Sequence, residues 1–513
     1  MVKVNIITSK EMQALEINAE YYGIPRILLM ENAGRNVALE VASRFKPSDA
    51  RVAIFCGLGG NGGDGSVAAR HLACMGFRTT VVLAGRFHDI SCEEAKINWQ
   101  ALKPLKRSIT IHEVDDSSLI PNIEAEVVID ALLGTGLKGP PRPPISNIIQ
   151  IINKMDAFKV AVDIPSGVDS ETGEVKGEAV KADLTVTFHK LKPGILRAKE
   201  YTGDCVVRDI GVPEELEMYA GPGDVFAISK PRKPEARKGD HGRLLIIGGS
   251  ETYSGAPTLA ALAALRTGVD LVFIAAPSKT AYAISSISPD LITIKLEGEH
   301  LNTGNISVLR HHLNKVSAVI IGPGLGLHKE TVETVKEILT IGEEKKIPIL
   351  LDADGLKAFA EFKHALKTPT VLTPHTGEYE ILTGRKIFGD LDERAKAVQQ
   401  TAQDLDAVVL LKSHVDIISD GYKTKFNFTG NPGMTVGGTG DVLSGIVGAF
   451  LARGIHPFEA AVASAYINGA AGDLVEEEKG HHMTATDLIE YIPKVIDDPM
   501  CHLELRKRKT NPS

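Results

Sequence analysis

Three stretches in the first half of the chain place polar side chains directly after apolar, strand-like segments. The first is the loop GLGGNGGDG at residues 57–65, which follows RVAIFC and carries Asn61 and Asp64. The other two put Asp130 and Asp163 at predicted strand ends, ahead of the loops ALLGTGLKGPP and IPSGVDSETG. Because ligands bind at the carboxyl ends of strands in open parallel sheets, we expect the three loops to open onto one crevice.

The first loop matches the dinucleotide-binding pattern GxGxxG through Gly57, Gly59 and Gly62, although this pattern alone is weak evidence. The next predicted strand ends in LAGR, without the acidic residue that would bind a ribose hydroxyl, which argues against an ordinary dehydrogenase. The loop amides can still seat a pyrophosphate at a helix N-terminus. Asp64 has two open interpretations, a cap for the following helix or a cofactor contact.

The carboxylates of Asp130 and Asp163 would repel each other in a buried crevice unless one is protonated or a cation lies between them. Oxygen ligands from Asn61, Asp130 and Ser166, without His or Cys, suit a hard cation. Asp163 would then be free to act as a general acid or base. The alternative is that both carboxylates cap loop amides at the strand ends, and the sequence leaves it open.

A more specific stretch, GNPGMTVGGTGDVLSGIVGAFLARG, occupies residues 430–454. Its glycine run ends at Gly440, and Asp441 follows at the start of an apolar helical pattern. Amides at such a helix N-terminus form an anion hole, and a carboxylate beside it can take a proton from an attacking hydroxyl. The stretch therefore predicts phosphoryl transfer, without the Lys-Ser/Thr of a Walker loop. An ordinary glycine-rich loop with an Asp cap is the alternative.

Further loops of the second half also follow strand-like segments. His375 lies in an exposed-looking turn and is either a ligand contact or a structural histidine. Lys412 ends the segment AVVLLK, and it either reaches a nucleotide phosphate or is a solvated lysine at a strand end. The loops are residues 247–257, 321–326, 350–356 and 372–382.

The elements that must position these residues alternate between strand-length apolar runs and helical patterns, which predicts α/β domains with parallel sheets. Residues 221–242 interrupt the alternation with prolines and charges and are typical of a connector. We therefore predict domains at 1–220 and 225–500, followed by a polar tail at 501–513. The predicted strands are Val52–Cys56, Thr79–Leu83, Glu126–Asp130, Lys159–Asp163, Leu184–Phe188, Arg243–Ile247, Asp270–Ala275, Ala318–Ile321, Ile347–Leu351, Thr370–Leu372 and Ala407–Lys412. The predicted helices are Ser9–Tyr22 with Ser9 as its cap, Ser66–Gly76, Pro257–Thr267, Asp441–Arg453 and Pro457–Glu477.

Composition limits the classes of partner. The 513 residues carry a net charge of −8, which gives no electrostatic case for nucleic-acid binding. The sequence has no apolar run long enough to span a membrane. Its five cysteines lack metal-ligand spacing and fit a reduced, cytoplasmic protein. The basic cluster at 506–509 is predicted to be a solvated end.

GLGGNGGDG, the segment from Asp130 to Gly136 and VDIPSGVDSETG resemble the epimerase domain of NAD(P)H-hydrate repair proteins, over most of residues 1–215. The resemblance implies a Rossmann-like domain that interconverts the R and S forms of hydrated NADH or NADPH (NADHX, NADPHX). It implies that Asp163 acts at the reacting ring and that Asn61, Asp130 and Ser166 hold a potassium ion. Gly60 stands where that family usually has Asn, so one substrate contact is in doubt. The implied substrate-binding residues are Gly60, Asn61, Gly62, Gly63, Asp64, Gly134, Thr135, Gly136, Leu137, Lys138, Gly139, Pro140 and Asp163.

GGSETYSGAPTLAALAALRTG, GPGLG, LDADGL, LTPHTGE and GNPGMTVGGTGDVLSG resemble the ribokinase-like fold, and more closely the dehydratase partner of that epimerase, over about 240–490. The resemblance implies that the S hydrate is dehydrated at the expense of ADP, with Mg²⁺, giving AMP and phosphate. It implies Asp441 as base and substrate contact. Ser413 follows Lys412 where a glycine is usual, which puts nucleotide affinity or choice in doubt. The implied hydrate-site residues are Ala256, Gly324 and His375, and the implied nucleotide-binding residues are Lys412, Ser413, His414, Val415, Asp416 and Gly440.

A bifunctional repair enzyme is the favoured hypothesis because both predicted domains would act on one damaged metabolite. The alternative keeps the second fold but makes it a kinase for a small alcohol, fused to a nucleotide-binding module without catalysis. We expect small-molecule substrates, no nucleic-acid or membrane partner, and a homo-oligomer.

Overall fold

The computed structural model describes residues 6–136, 139–229 and 232–510. The chain divides into two compact units, Met1–Leu216 and Glu217–Ser513, and each is described by itself. Two of the predicted binding residues, Leu137 and Lys138, lie outside the described residues.

The first unit is built on a parallel sheet. Its strands are β1 (Arg51–Cys56), β2 (Arg78–Leu83), β3 (Ile109–Glu113), β4 (Val127–Ala131), β5 (Phe158–Val162), β6 (Leu184–Phe188) and β7 (Asp204–Arg208). Its helices are α1 (Ser9–Tyr21), α2 (Arg26–Ala42), α3 (Gly60–Cys74), α4 (Glu93–Leu102), α5 (Ile145–Lys154), α6 (Pro193–Arg197) and α7 (Lys199–Thr202). The strand order is β3-β2-β1-β4-β5-β6-β7, and every pairing among the described residues is parallel.

The centre of this sheet consists of apolar strands that helices cover on both faces. Every residue of β4 and of β6 is buried, as expected for parallel strands with helices on both sides. On α5, Ile148, Ile149 and Ile152 are fully buried while the opposite face is polar, which accounts for its helical pattern. The chain continues from β1 to β2 on one side, whereas β4 lies on the other side, so the loops after β1 and β4 flank a crevice.

The second unit has a larger, mixed sheet. Its strands are β8 (Arg243–Ile247), β9 (Leu271–Pro277), β10 (Ile292–Leu296), β11 (Ala318–Ile321), β12 (Ile349–Leu351), β13 (Thr370–Leu372), β14 (Val408–Leu411), β15 (Asp416–Ser419) and β16 (Thr424–Asn427). Its helices are α8 (Pro222–Ile228), α9 (Gly255–Thr267), α10 (Ser278–Ser285), α11 (Ile306–Leu313), α12 (Lys329–Lys345), α13 (Ala353–Ala360), α14 (Thr376–Thr383), α15 (Leu391–Leu405), α16 (Thr439–Ala452), α17 (Pro457–Lys479), α18 (Ala485–Asp497) and α19 (Leu503–Thr510). The order is β10-β9-β8-β11-β12-β13-β14-β15-β16; β15 pairs antiparallel with both of its neighbours, and the other described pairings are parallel.

Helix α16 begins within the GGTG run, at Thr439, and is buried from Val442 to Ala452. It packs closely on α9, because a Cβ added at Gly445 would lie 2.2 Å from the carbonyl oxygen of Ala260. A side chain there would push the two helices apart. Close packing of α16 therefore fixes the position of its first turn, where Asp441 lies.

The two predicted α/β folds are confirmed, while several local predictions are wrong. Helix α1 is capped by Thr8 and not by Ser9, since the Thr8 hydroxyl accepts from the Glu11 amide at 3.2 Å and Glu11 Oε2 accepts from the Thr8 amide at 3.0 Å. The predicted connector at 221–242 contains α8, and the predicted parallel second sheet ends in antiparallel strands.

The end of the chain also differs from the predicted polar tail. Residues 503–510 are helical, and the side chains of His502 and Leu505 are buried. Arg508 pairs with Glu477 at 2.5 Å, so the basic cluster is partly neutralised. No described helix combines the length and apolar character that a membrane crossing needs.

Candidate active sites

The loop GLGGNGGDG is shorter than its glycines suggest, because α3 already begins at Gly60 with Gly59 as its N-cap. A Cβ at Gly57 would lie 1.8 Å from the carbonyl oxygen of Leu132, and one at Gly62 would lie 1.9 Å from that of Gly57. These two glycines therefore allow the loops after β1 and β4 and the first turn of α3 to touch through their backbones. By contrast, a Cβ at Gly60 would meet nothing within 4 Å.

Asp64 lies inside α3, so its interpretation as a helix cap is wrong. Burial raises the pKa of the Asp64 carboxyl well above its usual range, and the negative charges of Asp163 and Glu16 add to the shift. The positive charge of Lys192 acts in the opposite direction. Helix α3 thus contributes a half-buried acid to a crevice that already contains other acids.

Asp130 and Ser166 come together as predicted. The Ser166 amide donates to Asp130 Oδ2 at 2.7 Å, and the Ser166 hydroxyl donates to Asp130 Oδ1 at 2.5 Å. Both residues are fully buried. Burial raises the pKa of Asp130 to about 6, although the hydrogen bonds from Ser166 oppose this shift.

Asn61 faces the loop that follows β4. A Cβ at Gly134 would lie 3.4 Å from the Asn61 Cβ. The side-chain nitrogen of Asn61 is buried and has no hydrogen-bond partner among the described residues. Since the orientation of an amide group is assigned from its partners, this group can equally present its oxygen. An unpartnered amide near a buried carboxyl group and a hydroxyl fits the predicted set of oxygen ligands for a hard cation.

Other predicted residues lie on the two loops of this crevice. A Cβ at Gly63 would lie 2.6 Å from the Met30 sulfur, so Gly63 faces α2. Gly136 and Gly139 have open space at the Cβ position. Pro140 lies against Gly177, where an added Cβ would be 3.4 Å from the Pro140 Cβ. Gly134 and Thr135 are half-buried.

Asp163 has a partner that the sequence analysis missed. Its Oδ1 atom accepts a hydrogen bond from the ammonium group of Lys192, which is only 1 % exposed. The Thr187 hydroxyl at 3.0 Å and the Phe188 amide at 3.2 Å donate to the same oxygen. The charge of Asp163 is therefore balanced by Lys192. The sequence had predicted either a proton or metal cation shared with Asp130, or capping of loop amides by both carboxylates. The signal was the segment FHKLKPG directly after β6.

In the second unit, five parallel strands that are neighbours in the sheet end next to the predicted loops. These strands are β8, β11, β12, β13 and β14. The glycine run leads into the first turn of α16, with Gly438 in the left-handed conformation (φ 99°) as N-cap. A Cβ at Gly440 would lie 3.4 Å from Lys412 Nζ, so this lysine reaches the glycine run. The arrangement places a cation beside the amides of a helix N-terminus.

Lys412 belongs to an ion pair, so the solvated-lysine alternative is wrong. Its Nζ lies 2.8 Å from Asp352 Oδ1 and 3.9 Å from Glu378 Oε2. The Ser444 hydroxyl donates to Asp352 Oδ2 at 2.6 Å. Burial opposes ionisation of Asp352, but Lys412 and these hydrogen bonds outweigh burial and hold its pKa below the usual range. The charges of Asp352 and Glu378 raise the pKa of Lys412 against the effect of burial.

Asp441 lies in the first turn of α16. Burial raises the pKa of the Asp441 carboxyl from 3.8 to about 7, and the negative charge of Asp352 contributes next. Lys412 opposes the shift, whereas Glu378 adds to it. A carboxyl group with a pKa near neutrality, beside a glycine-rich helix N-terminus, is suited to accept a proton at neutral pH.

His375 is the N-cap of α14. Its Nδ1 atom accepts from the amides of Gly377 at 3.0 Å and Glu378 at 3.4 Å. Glu378 Oε2 accepts in return from the His375 amide at 3.0 Å. The histidine therefore has a structural role through Nδ1, and 57 % of its side chain is exposed. A ligand contact through Nε2 stays a prediction.

The two remaining hydrate-site residues are neighbours. Gly324 adopts a left-handed conformation (φ 62°), and a Cβ there would lie 3.4 Å from the Ala256 Cβ and 2.7 Å from the Tyr253 Cβ. The Gly326 amide donates to Asp354 Oδ2 at 2.9 Å, which joins this loop to the residues after β12. Ala256, Gly324 and the Asp352–Asp441 group thus lie at one edge of the sheet.

The segment from Lys412 to Asp416 forms a tight turn. Asp416 Oδ1 accepts from the Ser413 amide at 3.0 Å, and Asp416 Oδ2 accepts from Asn427 at 3.0 Å. Burial raises the pKa of Asp416 to about 6. The Ser413 hydroxyl donates to the Val415 carbonyl at 2.6 Å, while His414 is exposed. Asp416 therefore holds the turn together, and the hydroxyl of Ser413, the residue that departs from the family pattern, is bonded within it.

Comparisons with known proteins cover nearly the whole chain. Residues 27–194 match the family described as YjeF-related protein N-terminus, and residues 244–494 match the family described as NAD(P)H-hydrate dehydratase. The bifunctional NAD(P)H-hydrate repair enzyme Nnr of Hyperthermus butylicus is 46 % identical over 499 residues, covering 96 % of this chain and 93 % of that protein. The protein of the same name from Methanothermobacter thermautotrophicus is 45 % identical over 498 residues, covering 96 % and 95 %.

Solved structures match about half of the chain. A crystal structure of ADP/ATP-dependent NAD(P)H-hydrate dehydratase from Bacillus subtilis, co-crystallized with ATP/Mg²⁺, is 27 % identical. It covers 55 % of this chain and 99 % of that chain, with a TM-score of 0.47.

Proposed function

We propose, since the chain belongs to the family of bifunctional NAD(P)H-hydrate repair enzymes, that it performs both steps of this repair. Residues 1–220 interconvert the R and S hydrates of NADH and NADPH, and residues 225–500 dehydrate the S hydrate with ADP. The 46 % identity to a relative of that name over 96 % of this chain carries the proposal. The small-alcohol kinase fused to a non-catalytic module is disfavoured, because residues 244–494 match the family described as NAD(P)H-hydrate dehydratase and three donors hold Asp163 in the first unit.

The epimerase step is assigned to the crevice after β1, β4 and β5. Asp163 exchanges a proton near the hydrated carbon and stabilises the cationic form of the ring. The dinucleotide is assigned to the residues predicted to bind it at the start of α3 and after β4. Asp64 supplies a further, half-buried acid from α3, and burial raises its pKa.

A potassium ion on Asn61, Asp130 and Ser166 is part of the proposal. When bound, it supplies a fixed positive charge that holds the substrate in the crevice. The support is the chemistry of the donor set, two buried oxygen-bearing side chains and an amide without a partner. We expect epimerase activity in K⁺ buffer to exceed that in Li⁺ buffer, and Asn61→Ala to remove this difference. Equal activity of the wild type in both buffers would count against the ion.

The dehydratase step is assigned to the glycine run and Asp441. Asp441 takes the proton of the ring hydroxyl while the amides of residues 437–440 stabilise the transferred phosphoryl group. The β-phosphoryl group of ADP then forms a bond to the hydroxyl oxygen and AMP leaves. Expulsion of phosphate from the ring, together with loss of a proton from the adjacent ring carbon to solvent, restores the reduced nicotinamide. Mg²⁺, bound with the nucleotide, screens the phosphate charges, and Lys412 lies beside the glycine run.

The test uses the full chain with a mixture of R and S hydrates and either ADP or ATP. We expect the absorbance of reduced nicotinamide to recover fully with ADP, because both epimers are consumed. Asp441→Ala should abolish recovery, whereas Asp163→Ala should restrict fast recovery to the S epimer. Absence of recovery with either nucleotide would refute the proposed function, and faster recovery with ATP would refute the donor.

Two features of the proposal concern the protein as a whole. We propose a homo-oligomer, which light scattering after size-exclusion chromatography tests. We also propose a cytoplasmic location, which cell fractionation tests. A monomeric mass or recovery of the chain outside the cytoplasmic fraction would contradict these two points respectively.

A further inference from the structure

We infer that Lys192 is a positioning residue for Asp163, which it fixes through Oδ1 so that Oδ2 is the oxygen presented to the substrate. This inference rests on the proposed epimerase function of the first unit.

The ammonium group of Lys192 uses its three hydrogens within the protein. It donates to Asp163 Oδ1, to the Thr187 hydroxyl at 3.1 Å and to the Phe188 carbonyl at 2.9 Å. A lysine ammonium has three donors and no acceptor. Lys192 therefore has no free donor for a substrate, and its effect on the reaction must pass through Asp163.

The contacts of Asp163 converge on one of its two oxygens. Lys192, the Thr187 hydroxyl and the Phe188 amide all donate to Oδ1. No donor in the described ranges contacts Oδ2. An ionised carboxylate has lone pairs on both oxygens, so Oδ2 keeps its full capacity to take a proton from the substrate.

The backbone at Asp163 is also held in an uncommon conformation. Its φ angle is 63°, and the Ile164 amide donates to the Val162 carbonyl two residues back at 2.8 Å, which is a γ-turn. Non-glycine residues persist in such conformations only where surrounding contacts determine them, and such positions cluster at active sites. The three donors on Oδ1 are contacts of this kind.

Two further acids face the same crevice, Glu16 from α1 and Asp64 from α3. Burial raises the pKa of Glu16 to about 7, with the charge of Asp163 as the next cause. Lys192 lowers the pKa of both Glu16 and Asp64. Removal of Lys192 would take away the cation that contacts Asp163 and would leave Glu16 and Asp64 as its charged neighbours.

The first experiment replaces Lys192 by methionine in the full chain, which keeps the length of the side chain and removes the charge. We expect kcat for the conversion of R to S hydrate, followed by chromatography of the two epimers, to fall by about 100-fold or more, the usual contribution of a general base. KM should change by less than about twofold, because the lysine does not touch the substrate. The exposed Lys154→Met on α5 is the matched control and should behave as the wild type.

The second experiment separates a missing charge from missing packing. Lys192→Ala opens a cavity, and we expect methylammonium to restore part of its kcat in a saturable manner. The same amine should have no effect on Asp163→Ala. The inference is overturned if Lys192→Met keeps the kcat of the wild type. It is also overturned if Met outperforms Ala while the amine restores nothing, since this pattern indicates packing alone.

The design keeps this inference distinct from the proposed function. If the wild-type chain interconverts the epimers no faster than buffer does, the epimerase proposal fails and the inference fails with it. If the wild type is active and Lys192→Met is equally active, only the positioning role fails. Thermal unfolding of each variant, followed by the fluorescence of Trp99 in the first unit, shows whether that unit is folded.

Discussion

Asp441→Asn is expected to stabilise the second unit while it removes the proposed proton acceptor of the dehydratase. The pKa of Asp441 rises from 3.8 to about 7 in the folded protein, chiefly through burial. Between these two values the folded state keeps a proton that the unfolded state has lost, so the stability of the wild type falls as the pH rises through this window. An asparagine is neutral at every pH and does not show this loss.

The magnitude follows from the two pKa values. At pH 5 the carboxyl group disfavours folding by about 1.7 kcal/mol relative to a neutral side chain, since the unfolded state is ionised and the folded state is not. At pH 8 the penalty reaches about 4 kcal/mol, because the ionised form then has to be buried as well. The stabilisation of Asp441→Asn should therefore grow by about 2–3 kcal/mol between pH 5 and pH 8.

The position of the single tryptophan allows the stability of the second unit to be measured in the full chain. Trp99 lies in the first unit and is fully buried, so its fluorescence follows the unfolding of that unit. Urea unfolding followed by circular dichroism reports both units, and the transition that the fluorescence does not show belongs to the second unit. Asp404→Asn, on the exposed surface of α15, is the control for loss of one carboxylate.

The pH dependence decides the outcome. A gain in stability that is the same at pH 5 and pH 8, or that shrinks at pH 8, would refute the reasoning about Asp441. A change in the Trp99 transition would show that the substitution acts beyond the second unit. Unchanged dehydratase activity in Asp441→Asn would separately refute its role as proton acceptor.

Two other predictions concern the pKa of Asp441 and the backbone contact of Gly62 in the first unit. Dehydratase kcat/KM should rise with pH as Asp441 ionises near pH 7, and Glu378→Gln should move this rise to lower pH, because Glu378 is one of the charges that raise the pKa of Asp441; a shift to higher pH in the measured profile would contradict this. Gly62→Ala should destabilise the first unit by more than about 2 kcal/mol, since its Cβ would lie 1.9 Å from the carbonyl oxygen of Gly57, as followed by Trp fluorescence in urea. Gly60→Ala, with nothing within 4 Å of the new Cβ, is its control, and equal stability of the two variants would count against the close contact.

The sequence predicted the centre of each sheet but not its edges. Strands such as β4 and β6 are continuous apolar runs because both faces are covered, and this pattern is easily recognised. The edge strand β7 (DCVVR) is exposed at four of its five positions, and β3 (ITIHE) is mostly polar, so neither shows a clear period. Strands β15 and β16 are four residues each, too short for periodicity to reveal.

The expectation that ligand-binding residues follow parallel strands identified most residues of the first site, whereas the others depend on tertiary packing. Glycines disfavour helices, so the sequence GNGGDG did not show that α3 begins at Gly60. The close backbone contact of Gly62 with Gly57 outweighs that preference, and it places Asp64 within the helix. Lys192 follows the end of β6, as the predicted residues follow their strands. Lys190 also follows β6, so the sequence does not show which of the two lysines enters the site. Which lysine turns inward depends on the turn after β6.

Both units pair a lysine with a carboxylate, but only in the first unit is that carboxylate the proposed base. Each places a lysine after a strand so that it reaches a carboxylate at another strand end, Lys192 with Asp163 and Lys412 with Asp352. In the first unit the paired carboxylate is itself the proposed base. In the second unit the lysine pairs with a neighbour, and the base, Asp441, is left with burial and adjacent negative charges that raise its pKa. Loss of Lys192 should therefore disable Asp163 as a base. The pKa of Asp441, by contrast, depends on the opposing effects of Lys412 and of its acidic neighbours Asp352 and Glu378.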